Sequence, residues 1–371
     1  MAGRLFLYNP ENDIALASGL PRITPPRQAS DIHLSGALLP VWLAGEGDYV
    51  LVKDATKTPA PLREYLHGVN LIESANGMII KELSPWGWSN DVCAQFRAAG
   101  VEESLIRPHQ KMMETHRRLS HRVSSLALLQ LLKDAKIDMP ERMPVQAKTL
   151  NEVVVAVNDF GRAYLKSPWS CSGRGVFPVS TESLKSSLRR IEGIIARQGS
   201  VMVEPALNRI ADFAMLFNYT GAARASFVGY SMTLASPTGR YSGNIVASDD
   251  AIEQTLTQMV PLSALRAVRK AVAEALPALL GGNYNGPLGV DMMVYSDKSG
   301  RNRIAPCVEM NLRYTMGFVA QGIYDRIGRE GELLMGADHI DVEGHTTPLS
   351  ADILPLAPDG APFGIYFRSR I

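Results

Sequence analysis

The chain has 371 residues, enough for two or three compact domains, and its 46% apolar and 20% charged composition is ordinary for a globular protein. A formal net charge of +1 gives no electrostatic reason to expect nucleic acid or an anionic membrane surface as partner. Three scattered cysteines (Cys93, Cys171, Cys307) lack CxxC spacing, which argues against a disulfide framework or structural zinc. With no signal-peptide pattern at the start, and no apolar run near the roughly 20 residues of a membrane span, the expected setting is cytoplasmic.

In chain order, the apolar run over residues 4–8, stopped by Asn9-Pro10, reads as a buried strand. Residues 48–53 read as a second strand and 69–72 as a third. Ser89 is a candidate N-cap for a helix through Val92 and Phe96 that ends at Gly100. Strands alternating with a helix predict a small open-sheet α/β domain over residues 1–108.

A second segment, 109–206, opens with a predicted helix over 119–135, in which Val123, Leu126, Leu129 and Leu132 recur at helical spacing. Thr149 and Glu152 form a capping-box pattern for a helix running to Gly161. A strand over 163–166, a loop of small residues, and a return strand over 176–179 follow. Ser180 is the expected cap of the helix carrying Leu184, Leu188, Ile191 and Ile195, and residues 200–204 read as a buried strand. In the third segment, 207–371, strands are predicted over 213–219, 223–234 and 244–247. A long helix over 261–280 has Pro261 in its first turn. Strands over 289–295 and 304–311, a helix over 318–327, and a tail containing Pro and Gly complete the chain.

Three stretches carry candidate chemistry. The first is Gly289-Val-Asp-Met-Met-Val-Tyr with Cys307-Val-Glu-Met-Asn-Leu-Arg313. Side chains alternate along a strand, so Glu309, Asn311 and Arg313 share a face, and Asp291 on a hairpin partner can meet them. Two carboxylates and an amide oxygen make a hard, all-oxygen set suited to Mg²⁺, and an adjacent arginine can steady charge on a phosphoryl group. A solvated hairpin with ordinary outward polar residues is the bland alternative. The second is Lys166 at a strand end, followed by Ser170, Ser172, Gly173 and Gly175. A lysine there can place a point charge on a phosphate, and a small-residue loop can bring amides close to an anion. A plain hairpin tip fits equally, and no G-x-x-x-x-G-K-[ST] P-loop is present. The third is the connector Glu204-Pro-Ala-Leu207 with Asp212 beyond it, which can read an adenine edge and a ribose, or can simply link two elements. Cys307 reads as a buried thiol.

Taken in order, these stretches resemble the ATP-grasp superfamily over roughly residues 110–330. The resemblance implies two α+β lobes clasping ATP, preceded by the small N-terminal domain. It implies ATP contacts from Arg122, Lys166, Ser172, Gly173, Gly175, Glu204, Leu207 and Asp212. Asp291, Glu309 and Asn311 match the metal ligands, for two Mg²⁺ or Mn²⁺, and Arg313 with Lys166 matches the catalytic cations. The sequence departs from the family at Ser120-His121-Arg122, where a lysine is usual; at Asp212, where a glutamate is usual; and at Gly289, where many ligases carry arginine.

The implied activity is an ADP-forming carboxylate–amine ligase acting on a small-molecule acid and amine, with a homodimer as the family's common assembly. A phosphotransferase on the same fold and a non-catalytic nucleotide-binding module are the alternatives. The loops at 9–13, 24–27 and 84–89, with Arg27, Trp86 and Trp88, and residues 241–244 are candidates for the acceptor side.

Overall fold

The computed structural model describes residues 3–170, 175–235, 241–336 and 352–370. The chain folds into two compact units. The first comprises Met1–Glu114, Ser231–Ile252 and Arg313–Ile371; the second comprises Thr115–Tyr230 and Glu253–Leu312.

In the first unit, a four-stranded parallel sheet has the order Asn70–Ile72, Tyr49–Leu51, Gly3–Leu7, Ile80–Pro85. The Ile80–Pro85 strand is absent from the sequence reading, since Lys81 and Glu82 break its apolar run and both lie exposed. Ser89 caps the Asn90–Ala98 helix as expected, its Oγ accepting from the Val92 amide at 3.2 Å. Helices Asn12–Ser18 and Arg27–Ser35 occupy what the sequence presents as loop. The unit also holds an antiparallel ladder in which Tyr241–Val246, Gly331–Met335, Ile365–Ser369 and Ile353–Pro355 pair in turn. The described part of the tail therefore contributes three strands. Alternation explains it: Ile365 and Phe367 are buried while Arg368 is exposed. Phe6, Trp42, Val50, Val319, Leu333 and Phe367 belong to one core. Gly322 lies against it, where a Cβ would stand 2.0 Å from the Trp42 carbonyl oxygen.

In the second unit, an antiparallel sheet runs Val145–Ala147, Val201–Pro205, Arg162–Lys166, Val176–Ser180. Helices Leu150–Phe160 and Leu184–Gln198 supply Val153, Val157, Ile191 and Ile194 to its core. The Thr149–Glu152 capping box forms. Ser180 does not cap the following helix: it turns back onto Ser183, and the helix begins at Leu184 without a side-chain cap. Three longer strands form the other half of the unit, with Gly286–Ser296 paired between Asn208–Tyr219 and Asn302–Asn311. Helix Leu262–Leu280 follows Pro261 as predicted and packs on Val123–Asp134.

The helix expected over 119–135 forms as Val123–Asp134, and Leu119 instead closes a separate preceding helix, Met113–Leu119. Of the predicted stripe Leu129 and Leu132 are buried, whereas Val123 and Leu126 are half-buried and Ser124, Ser125 and Leu128 complete the buried face. Ser125 can be buried there because its Oγ accepts the Met310 amide at 3.0 Å. Among the described residues, no helix is long and apolar enough to cross a membrane.

Candidate active site

The pairing of the Gly286–Ser296 and Asn302–Asn311 strands sets Asp291 directly opposite Glu309, and Gly289 opposite Asn311. Opposed residues share a sheet face, so both carboxylates and the Asn311 amide project to one side. Asn311 Nδ2 donates to Asp291 Oδ2 at 3.0 Å. A register shift just beyond Asp291 ends this regular stretch of pairing. Among the described residues, no group of three or more His, Cys, Asp and Glu gathers as a metal cluster, so the set is two carboxylates plus one amide. All the available donors are oxygens, which fits a hard divalent cation.

Glu309 also meets a cation of the chain. Arg122 Nη1 lies 2.7 Å from Glu309 Oε2, with side-chain exposures of 7% and 22%. The same guanidinium donates from Nε to Ser167 O at 3.0 Å and from Nη2 to Ser170 Oγ at 3.1 Å. The Arg122 amide donates to Pro168 O at 3.1 Å. Arg122 thus ties the stretch after Lys166 to the acidic strand, and its fork serves several partners at once, as an ammonium would not.

Lys166 closes the Arg162–Lys166 strand and forms an ion pair with Glu204 on the neighbouring strand. The register explains the contact. Tyr164 opposes Glu204, so Lys166, two residues on, is its diagonal neighbour on the same face. Arg122 joins the two halves, through Glu309 on one side and Ser167 O on the other. Cys307, two residues before Glu309, is buried; burial pushes its thiol far up and a hydrogen bond with Ser125 pulls it down, the inert environment the sequence suggested.

Below the small-residue loop, the Ser167 amide donates to Gly175 O at 2.9 Å and closes its base. Gly175 has φ +74, and a Cβ there would stand 2.6 Å from Ser167 Oγ, so glycine is required by both backbone and space. Ser172 and Gly173 lie outside the described residues. Leu207 sits in the two-residue connector between strands Val201–Pro205 and Asn208–Tyr219, and the neighbouring Ala206 amide donates to Arg162 O at 2.9 Å. Asp212 is on the second of these strands, engaged by Arg209 Nη1 at 2.7 Å. Its strand pairs with the one that carries Asp291, and Asp212 stands opposite Met293, two residues past that carboxylate. His121, beside Arg122, is lowered to about 4 by burial and then by the Arg117 and Arg122 charges. Its Nδ1 accepts the Val123 amide at 2.9 Å.

Arg313 belongs to the first unit. Its Nε and Nη2 both donate to Asp13 Oδ2, at 3.2 and 3.0 Å. This partner was missed because nothing in the spacing of 300 residues announces it. Ser125 and Ser167 were missed too: a serine in an apolar helix stripe, or one bonding through its carbonyl, leaves no pattern in a sequence.

No protein-family model matches the sequence, and no curated protein does. Solved structures do. The chain is similar to phosphoribosylamine–glycine ligase from Thermotoga maritima, at 12% identity over 98% of this chain and 91% of that one, with a TM-score of 0.55. It is similar to the biotin carboxylase domain of the Hydrogenobacter thermophilus 2-oxoglutarate carboxylase, solved with MgADP, ADP and bicarbonate, at 11% identity, 100% and 86% coverage and a TM-score of 0.54. It is also similar to N5-carboxyaminoimidazole synthetase from Staphylococcus aureus, at 9% identity, 99% and 93% coverage and a TM-score of 0.51. At these identities the likeness is one of fold.

Proposed function

The chain has the ATP-grasp fold, and on that premise we propose that it is an ADP-forming ligase. It activates a small carboxylic acid with ATP, as an acyl phosphate, for attack by an amine. The observation that carries the reading is the acidic face of the paired strands, where Asp291 opposes Glu309 and accepts from Asn311 Nδ2, with Arg122 tying Glu309 to the loop after Lys166. The three named solved structures support the class, since each is a ligase, a synthetase or a carboxylase domain.

In this reading Glu204 keeps the Lys166 ammonium at the strand end, where it meets the nucleotide phosphates as a point charge. Arg122 offsets the charge of Glu309 and anchors Ser167 and Ser170 below the loop. Ser172, Gly173 and Gly175 close that loop over the phosphates and exclude water, which would otherwise consume the activated acid. Asp291, Glu309 and Asn311 would hold Mg²⁺, as two ions or with Mn²⁺ in their place, which when bound neutralises phosphate charge. Glu204 and Leu207 take the adenine side and Asp212 the ribose. Arg313, two residues beyond Asn311, steadies charge on the transferring group. Phosphoryl transfer asks for positioning and charge neutralisation above all, and this set supplies both. The segments 109–206 and 207–371 correspond to the two lobes, with 1–108 before them. A homodimer and a cytoplasmic setting belong to the same reading.

Replacing Lys166 by alanine tests it directly. Calorimetric titration with a non-hydrolysable ATP analogue and Mg²⁺ should show affinity weakened by about 1–3 kcal/mol, the scale of a charge-assisted hydrogen bond. Unchanged affinity would remove Lys166 from the nucleotide site.

A further inference from the structure

Glu11 is buried, yet it caps nothing. It stands immediately before the Asn12–Ser18 helix, where an acidic side chain ordinarily accepts from the first amides, and it makes no such bond. Both of its oxygens instead face His33 Nδ1, at 3.1 and 3.0 Å. Oε1 also accepts from Gln95 Nε2 at 3.1 Å, and that amide is shared with Asp91 Oδ2 at 2.8 Å. Asp91 is fixed in turn, its Oδ1 accepting the Ile23 amide at 2.9 Å. Burial works to raise the Glu11 carboxyl, but the bonds and charge of His33, with the Gln95 and backbone bonds, outweigh it and leave it lowered.

An ionised carboxylate only accepts, so the proton of a neutral His33 sits on Nδ1 and the lone pair on Nε2. The imidazole is part-open, with 27% side-chain exposure against 4% for Glu11. A base held by a buried carboxylate through its other nitrogen is the arrangement of an oriented general base.

The position in the sheet points the same way. Glu11 lies four residues past the end of Gly3–Leu7, and Asp91 and Gln95 lie on the helix after Ile80–Pro85. Those strands are parallel neighbours, while the chain leaves Gly3–Leu7 for Tyr49–Leu51 on its other side. The cluster therefore stands at the carboxyl edge of the topological switch point, where open α/β sheets take ligands. Within the cluster the two acids Glu11 and Asp91 meet one ionisable base, His33, a balance that suits a cationic ligand.

We propose that His33 is a general base with Glu11 as its positioning residue, and that its ligand is a primary amine bound as the ammonium. This rests on the ligase reading, in which the amine must lose a proton before it can act as nucleophile. The step is a proton transfer. One N–H bond of the ammonium breaks, its electron pair stays on the amine nitrogen, and the proton passes to His33 Nε2. The imidazolium so formed is balanced by Glu11.

The test uses the full chain with Mg-ATP, a panel of small carboxylic acids, and two kinds of nucleophile. Primary amines are protonated at neutral pH and need a base, whereas hydroxylamine is largely unprotonated and does not. His33→Gln should lower amine-dependent ADP release by at least ~100-fold, and hydroxamate formation with hydroxylamine far less, in keeping with the usual size of general-base effects. Glu11→Gln should show the same selective loss, with Glu11→Asp partly restoring it. Equal losses with both nucleophiles, or no loss with the amine, would overturn the assignment. If the unmodified chain makes no hydroxamate from any acid, the ligase reading itself fails and the base falls with it. Independently of turnover, long-range ¹H–¹⁵N correlation should find the His33 proton on Nδ1, and a proton on Nε2 would refute the geometry.

Discussion

The acidic face of the second unit and the edge of the parallel sheet in the first are held by different means. On the acidic face opposite charges meet: Lys166 with Glu204 on a neighbouring strand, and Arg122, just before a helix, with Glu309. The parallel-sheet edge is knitted mainly by amides and a histidine. Asn9 donates to Gly87 O at 2.8 Å and accepts the Gly87 amide at 3.2 Å, and Glu11 is held by His33 and Gln95. A charge-paired strand surface has its groups placed by register before any ligand arrives. An edge built from loops and helix starts depends on each of several neutral bonds.

That difference can be broken or sharpened by substitution. The largest effect is expected from Glu309→Ala, which strands the buried Arg122 guanidinium. It should destabilise the chain by about 3 kcal/mol, the lower end of the range for breaking a buried pair because Glu309 keeps some solvent contact. Glu309→Gln keeps an acceptor for Arg122 and should retain most of the stability; urea titration of both compares the two roles. An unchanged midpoint for the alanine variant would mean that the pair contributes no net stability.

Next comes Asn9→Ala in the first unit, which removes two buried bonds to Gly87 and should cost about 2 kcal/mol. A loss under ~0.5 kcal/mol would show that the edge does not depend on this clamp. Ser125→Ala should follow at about 1 kcal/mol, since it leaves the Met310 amide without its acceptor. Its effect belongs to the second unit and tests whether neutral bonds matter there too.

The last effect, absent at neutral pH, is a pH slope. His121 in the folded chain is lowered from 6.5 to about 4 by burial and by its arginine neighbours. Between those values the unfolded chain binds a proton that the folded chain refuses, so stability should decline as pH falls from 6.5 towards about 4. Comparing urea midpoints across that window should show a shallower slope in His121→Gln. Identical slopes would remove His121 from the account.

How much was legible in the sequence follows the same division. Strand alternation has a period of two, so Glu309 and Asn311 announced a shared face, and a hairpin partner brought Asp291 opposite. The Lys166 strand, the Thr149–Glu152 box and the long helix after Pro261 were equally plain, because each depends on local spacing. The Arg313–Asp13 pair and the Glu11–His33–Gln95 network were not, because they join residues from separate loops and helices with no fixed interval. In helix Val123–Asp134 the apolar stripe found Leu129 and Leu132 but not the buried Ser124 and Ser125, which carry no apolar signal. The strands of the tail were hidden by the Pro and Gly residues between them.

The central claim is a nucleotide site in the second unit that takes its metal on Asp291, Glu309 and Asn311. The most direct measurement is calorimetric titration of a non-hydrolysable ATP analogue into the chain and into Glu309→Gln, each with Mg²⁺ and with EDTA. Micromolar binding that requires Mg²⁺, and is lost in Glu309→Gln while the variant stays folded, is the predicted result. Binding that ignores both the metal and the substitution, or no binding in any condition, would contradict it.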